Sequence, residues 1–150
     1  MRDVFLDGIA RHLADNVDTA TYNPDGIYTA GQLGIIIAAR PADPADLISI
    51  SAYSVDDDPT LSDSTLGLQV WARRDSRDPR VVGRTADAVF DTLHGLHDLR
   101  LPSAEDGPAG VWLTSCERRS HVSGGQDDNG RWAEISNFYC LVHYPSTHRI

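Results

Sequence analysis

The hydrophobic pattern changes period along the chain, helical at the amino terminus and strand-like through the second half. Val4, Phe5, Ile9 and Leu13, with Leu6 and Ala10 beside them, recur at helical spacing and predict an amphipathic helix from Arg2 to about Ala14. Asn16 to Gly34, with Asn-Pro, Asp-Gly and scattered glycines, reads as a connection. Two strands are predicted next: the apolar run Ile35 to Ala39, and Leu47 to Tyr53, which alternates apolar with small polar residues. The acidic loop Asp56 to Asp63 separates these from a third strand, Leu66 to Ala72. Asp78 before Pro79 is a helix-start signature, a carboxylate able to accept orphan amide protons followed by a residue whose φ is already set. Val82, Ala86, Val89, Phe90 and Leu93 then form one continuous apolar face, and Gly95 stops the helix.

The most informative stretch is the last. Two long β-type runs, Gly110 to His121 and Arg131 to Tyr144, are joined by a Gly/Asp-rich loop, Val122 to Gly130, that closes with Asn129-Gly130, a strong hairpin signal. The element order α, β, β, β, α, β, β predicts a single α+β domain over 1–150. Its expected form is a mostly antiparallel four- to five-stranded sheet, two helices packed on one face and a long C-terminal β-hairpin. The tail Pro145 to Ile150 is expected to fray, and the tip Gly124 to Gly130 to be mobile in an isolated subunit. On the last strand both alternating sets are apolar: Trp132, Phe138, Cys140 and Val142 on one side, Ile135, Tyr139 and Leu141 on the other. Such a strand wants cover on both faces, which points to self-association.

Composition narrows the partners. A formal net charge of −9 argues against a nucleic-acid clamp, because phosphate neutralisation is the main source of sequence-independent affinity. No run approaches a membrane span of ~18 apolar residues and the first residues lack a signal core, so the expected setting is the cytosol or something assembled there. All basic residues are arginine. That inventory suits bidentate protein–protein contacts, and it equally suits a GC-rich coding sequence.

The chain offers little for catalysis. His94 and His97 straddle a helix end, where a cation complements the dipole. Cys116 and His121 fall on opposite faces of a regular strand, and Ser123-Gly-Gly125 lacks the lysine and helix of a phosphate loop. No catalytic, cofactor or metal residue is assigned. Cys116 and Cys140 fall nearly opposite one another in the hairpin, as two buried thiols more readily than as a disulfide in a reducing cytosol. The candidate interface residues are the charged ones: Asp56, Asp57 and Asp58; Arg73, Arg74 and Arg77; Arg118 and Arg119; Asp127, Asp128 and Arg131. The cluster Arg73, Arg74 and Arg77 is expected to face acid on a neighbour, with Asp56 to Asp58 or Asp127 and Asp128 as partners.

Several stretches in this order carry a family resemblance: Gly34 to Pro41 with Pro44 and Asp46, Leu68 to Arg74, Val89 to Leu96, and Asp128 to Arg131 leading into Ile135 to Tyr139. Together they make the chain resemble the tail terminator proteins of long-tailed, non-contractile bacteriophages, often labelled minor capsid or tail completion proteins. The resemblance implies a structural virion protein, not an enzyme. It implies a homo-oligomeric ring, usually a hexamer, on the head-proximal end of the tail tube, stopping tube polymerisation and joining the tail to the head connector. DNA would pass through the lumen without specific binding. The acidic loop Asp56 to Asp63 and the insertion Gly124 to Asp128 depart from the pattern, leaving open which partners those loops touch. Two other readings stay open: another head–tail connector, stopper or tail tube protein, and a small-molecule-binding or enzymatic α+β domain.

Overall fold

The computed structural model describes residues 1–149, and Ile150, the last residue of the expected frayed tail, lies outside them. The chain runs α1 (Arg2–Asn16), β1 (Ala20–Tyr22), β2 (Leu33–Ile37), β3 (Leu47–Asp57), β4 (Asp63–Arg73), α2 (Pro79–Leu93), β5 (His97–Arg100), β6 (Trp112–Gln126) and β7 (Trp132–His143). All strands join one sheet in the order β1-β2-β3-β4-β7-β6-β5, curled into a half-barrel.

The expected mostly antiparallel sheet of four to five strands is therefore corrected to a mixed sheet of seven. β1 pairs with β2, and β2 with β3, in parallel; the remaining neighbours are antiparallel. β1 is three residues, Ala-Thr-Tyr, inside a segment dense in turn signals, and it is a strand only because β2 offers its edge. β5, His-Asp-Leu-Arg, has no apolar alternation and owes its pairing to β6.

α2 starts as its sequence dictates: the Asp78 carboxylate accepts a hydrogen bond from the Arg80 backbone N–H at 3.0 Å, with Pro79 in the first turn. Its inner face, Val82, Ala86, Val89 and Leu93, is buried. α1 buries Phe5, Leu6, Ile9, Ala10 and Leu13. Both helices share one cluster with Ile35, Ile48, Ile50, Leu66, Leu68, Phe138, Cys140 and Val142, which are the residues that alternate to one face of the sheet. Each such fully buried side chain contributes roughly 1.5–3 kcal/mol of transfer free energy.

The hairpin is longer than its sequence suggests. β6 continues through Val122, Ser123 and the two glycines to Gln126, and only Asp127–Arg131 remains as the turn. Three register shifts, at Leu113/Ser115, Arg118/Ser120 and Ser123/Gly125, let β6 carry extra residues opposite an unbroken β7. Asp127 organises the turn. It accepts from the backbone N–H of Asn129 and of Arg131, both at 2.9 Å, and from Arg131 Nε at 2.7 Å. Arg149 likewise holds the tail, donating to the carbonyls of Leu61 and Asp63 and to the Ser64 hydroxyl.

Candidate assembly surfaces

The sheet face opposite the helices carries Tyr53, Gly67, Gln69, Trp71, Asn137, Tyr139 and Val122 in cross-strand rows. Its aromatic groups are partly covered by the chain's own residues, Tyr53 remaining 40% exposed. The Tyr53 ring lies across Gly67, where any side chain would collide with it. Arg119 stacks over Tyr139 with its guanidinium carbon 4.9 Å from the ring centre, and Arg40 over Trp71 at the same distance. Arginine stems and planar heads thus cover one aromatic group of β7 and one of β4, while keeping charge at the solvent.

The three neighbouring arginines have three different fates. Arg73 is buried, and its guanidinium donates to the carbonyls of Pro41, Ala42, Pro44 and Ala45 at 2.8–3.2 Å, clamping the β2–β3 connection. Arg74 donates to Asp46 Oδ1 at 2.8 Å and to the Thr85 hydroxyl at 2.9 Å, joining that connection to α2. Arg77 is exposed and lies against Gly130, while its carbonyl accepts from Trp132 Nε1. Arg131 reaches Asp127 and the Ala42 carbonyl.

The acids divide in the same way. Asp58 caps the β3–β4 turn, accepting from the Thr60 and Leu61 amides and the Thr60 hydroxyl, and these bonds lower its pKa. Hydrogen bonds from Arg131 hold Asp127 below the usual carboxylate value. Asp56, Asp57 and Asp128 are exposed. Arg118 and Arg119 point to opposite faces: Arg118 stacks on Phe90 of α2, with 4.1 Å between guanidinium carbon and ring centre, and Arg119 pairs with Glu117 at 2.8 Å on the helix-free side. Of the sequence-derived set, Arg77, Arg119, Asp56, Asp57 and Asp128 therefore present their charge to solvent, and the rest make contacts within the subunit.

Two features were outside that set. Val55 of β3 and Val122 of β6 are 40% and 55% exposed. Their signal in the sequence is an apolar residue inside an otherwise polar segment. Cys116 and Cys140 are paired residues in adjacent strands with 3.5 Å between sulfurs, both buried and unbonded. The hydrogen bond to Cys116 and then burial push the Cys140 thiol well up.

A cleft of about 490 Å³ is lined by Tyr28, Asp43, Pro44, Asp46 and Asp75 among others. Asp46 is already engaged by Arg74 and by the Asp75 amide. Among the described residues no group of three or more His, Cys, Asp or Glu side chains is arranged to hold a metal ion.

With this geometry in view, a family model described as bacteriophage tail terminator protein matches residues 14–143. The chain belongs to the bacteriophage tail terminator family. It is a bacteriophage structural tail protein. Its fold is similar to a chain in a solved structure of the virion of a native gene transfer agent particle, at a TM-score of 0.56 and 18% identity. That match covers 91% of this chain and 92% of the other. Comparison with curated proteins gives no match.

Proposed function

We infer that this terminator forms a ring on the head-proximal end of the tail tube, stops tube polymerisation there and presents a surface to the head connector. The match of the tail terminator family over 14–143 carries this reading. A heterologous contact repeated around an axis closes into a ring when its rotation divides a full turn, and the family resemblance implies six copies. The fold supplies two long strands, β3 and β6, that outrun their outer neighbours, and a helix-free face for such contacts. Assembly takes place in the host cytoplasm, with the tail tube protein and the head connector as neighbours.

The lumen is neutral or negative, so that DNA passes without being held. The subunit's formal charge of −9 supports this, and the cations of the helix-free face are engaged: Arg119 by Glu117, Arg40 by Gln69 and Arg73 by carbonyls. A lining of free arginine would bind phosphates by counterion release.

Light scattering and negative-stain imaging of the purified protein test the ring. Discrete rings one subunit thick are expected. Long stacked tubes would instead make it a tube subunit, and a monomer both at high concentration and on tube ends would remove the ring altogether.

A further inference from the structure

The two long strands near the margins of the sheet outrun their neighbours at opposite corners. β2 pairs with β3 only as far as Ile50, so the edge from Ser51 to Asp57 faces no strand among the described residues. β5 pairs with β6 only through Ser115; Cys116 then bonds the backbone of Gly95 and Leu96, and the Arg118 N–H is taken by His94 Nδ1. Beyond that, the edge from Arg119 to Gln126 also faces no strand among the described residues. Long bare edges are rows of unpaired N–H and C=O groups that proteins ordinarily shorten or cover, and they are templates for strand addition.

These two edges suit each other. β3, β4, β7 and β6 alternate in direction, so a copy in the same orientation sets its β6 antiparallel to β3. The edge of β3 is acidic at its end, with Asp56, Asp57 and Asp58, and that of β6 opens with Arg119. Each edge also bears an exposed valine, Val55 or Val122.

We propose that a second copy of this chain extends the sheet, Ser51–Asp57 of one subunit pairing antiparallel with Ser120–Gln126 of the next, with Val55 opposite Val122. This deepens the ring reading and rests on it. In that register Asp57 meets Ser120, Asp58 lies opposite Arg119, and Ser51 meets Gln126.

The stagger of this joint agrees with closure. Within one subunit the ladder aligns Ser51, Gln69, Asn137 and Ser120, whereas in the joint Ser120 meets Asp57, which the bulge between Ser54 and Asp56 places five ladder steps further along β3. At about 3.3 Å per step this is an offset of about 16 Å across four strands, which span about 19 Å at 4.8 Å spacing, so strands incline about 40° to the axis, within the ~35–45° found in closed barrels. Both helices occupy one face, so closure turns the helix-free face inward, with Arg119 in the lumen and Arg118 on the outside.

The test uses V55C and V122C, both at exposed positions. Under mild oxidation, a mixture of the two single variants should give disulfide-linked dimers that neither gives alone, and the double variant V55C/V122C should give a ladder ending at the ring mass. Wild-type protein, whose thiols are buried, controls for the native cysteines. Rings of unchanged mass without crosslinks would overturn this joint and leave the ring reading standing. Crosslinking of either single variant alone would show a two-fold contact and also overturn the joint. A chain that stays monomeric at high concentration and on tube ends would overturn both.

Discussion

Replacing Arg73 by Leu separates a clamp inside the subunit from a contact between subunits. The side chain is 5% exposed and donates to four carbonyls of the β2–β3 connection, with no carboxylate among its hydrogen-bond partners. A hydrogen bond involving a charged group is worth ~1.5–3 kcal/mol, but four do not add, because the freed connection can relax towards water. A loss of about 3–5 kcal/mol is the expected scale for breaking such a buried arrangement. At a urea slope of about 2 kcal/mol/M, this lowers the unfolding midpoint by about 1.5–2.5 M with little change in slope. Arg73→Lys keeps the charge but loses the planar fork, and should fall between the two. Equilibrium unfolding at low protein concentration, where rings are absent, is the assay. A midpoint shift below about 0.3 M, or intact stability with lost assembly, would refute the clamp and return Arg73 to the interface.

Three further outcomes are expected. Asp58, Asp78 and Asp127 all have folded pKa values depressed by hydrogen bonds. Their contribution is full above the unfolded carboxylate pKa and disappears as pH falls through the lower folded values, so stability should decline on acidification below about pH 4. Replacing all three by Asn should flatten that decline in a pH series of urea titrations. Cys116 and Cys140 should resist an aromatic disulfide reagent in the native protein and both react in urea; rapid native reaction would show that the strand pair opens. Phe138→Ala, at a fully buried position in the core the two helices share, should cost about 3–5 kcal/mol in the same unfolding assay, and a cost under about 1 would contradict the core described here.

Elements that carry their own signal were legible in the sequence. The Asp78-Pro79 start, the apolar face of α2 and the opposed cysteines all depend on local chemistry or on hairpin arithmetic, and the structure places them accordingly. What escaped depends on tertiary context. β1 and β5 are short and polar, and exist because a neighbouring edge is available. The parallel pairing of β1, β2 and β3 leaves no mark in residue period. The two glycines after Ser123 read as a flexible loop, yet they continue β6 through a bulge, since Gly124 packs against Ala133 and Gly125 takes a positive φ. The run Arg73 to Arg77 looks like one charged patch, while burial sorts it residue by residue, which no pattern of charge alone encodes.

Tail tube assembly in the presence of this protein tests the central claim most directly. Purified tail tube protein is polymerised with increasing amounts of the terminator, and tube lengths and ends are measured in electron micrographs. Tubes that stop growing, each with a single ring at one end and lengths that shorten as terminator is added, are the expected result. Tubes that lengthen without limit and carry no ring at either end would contradict it.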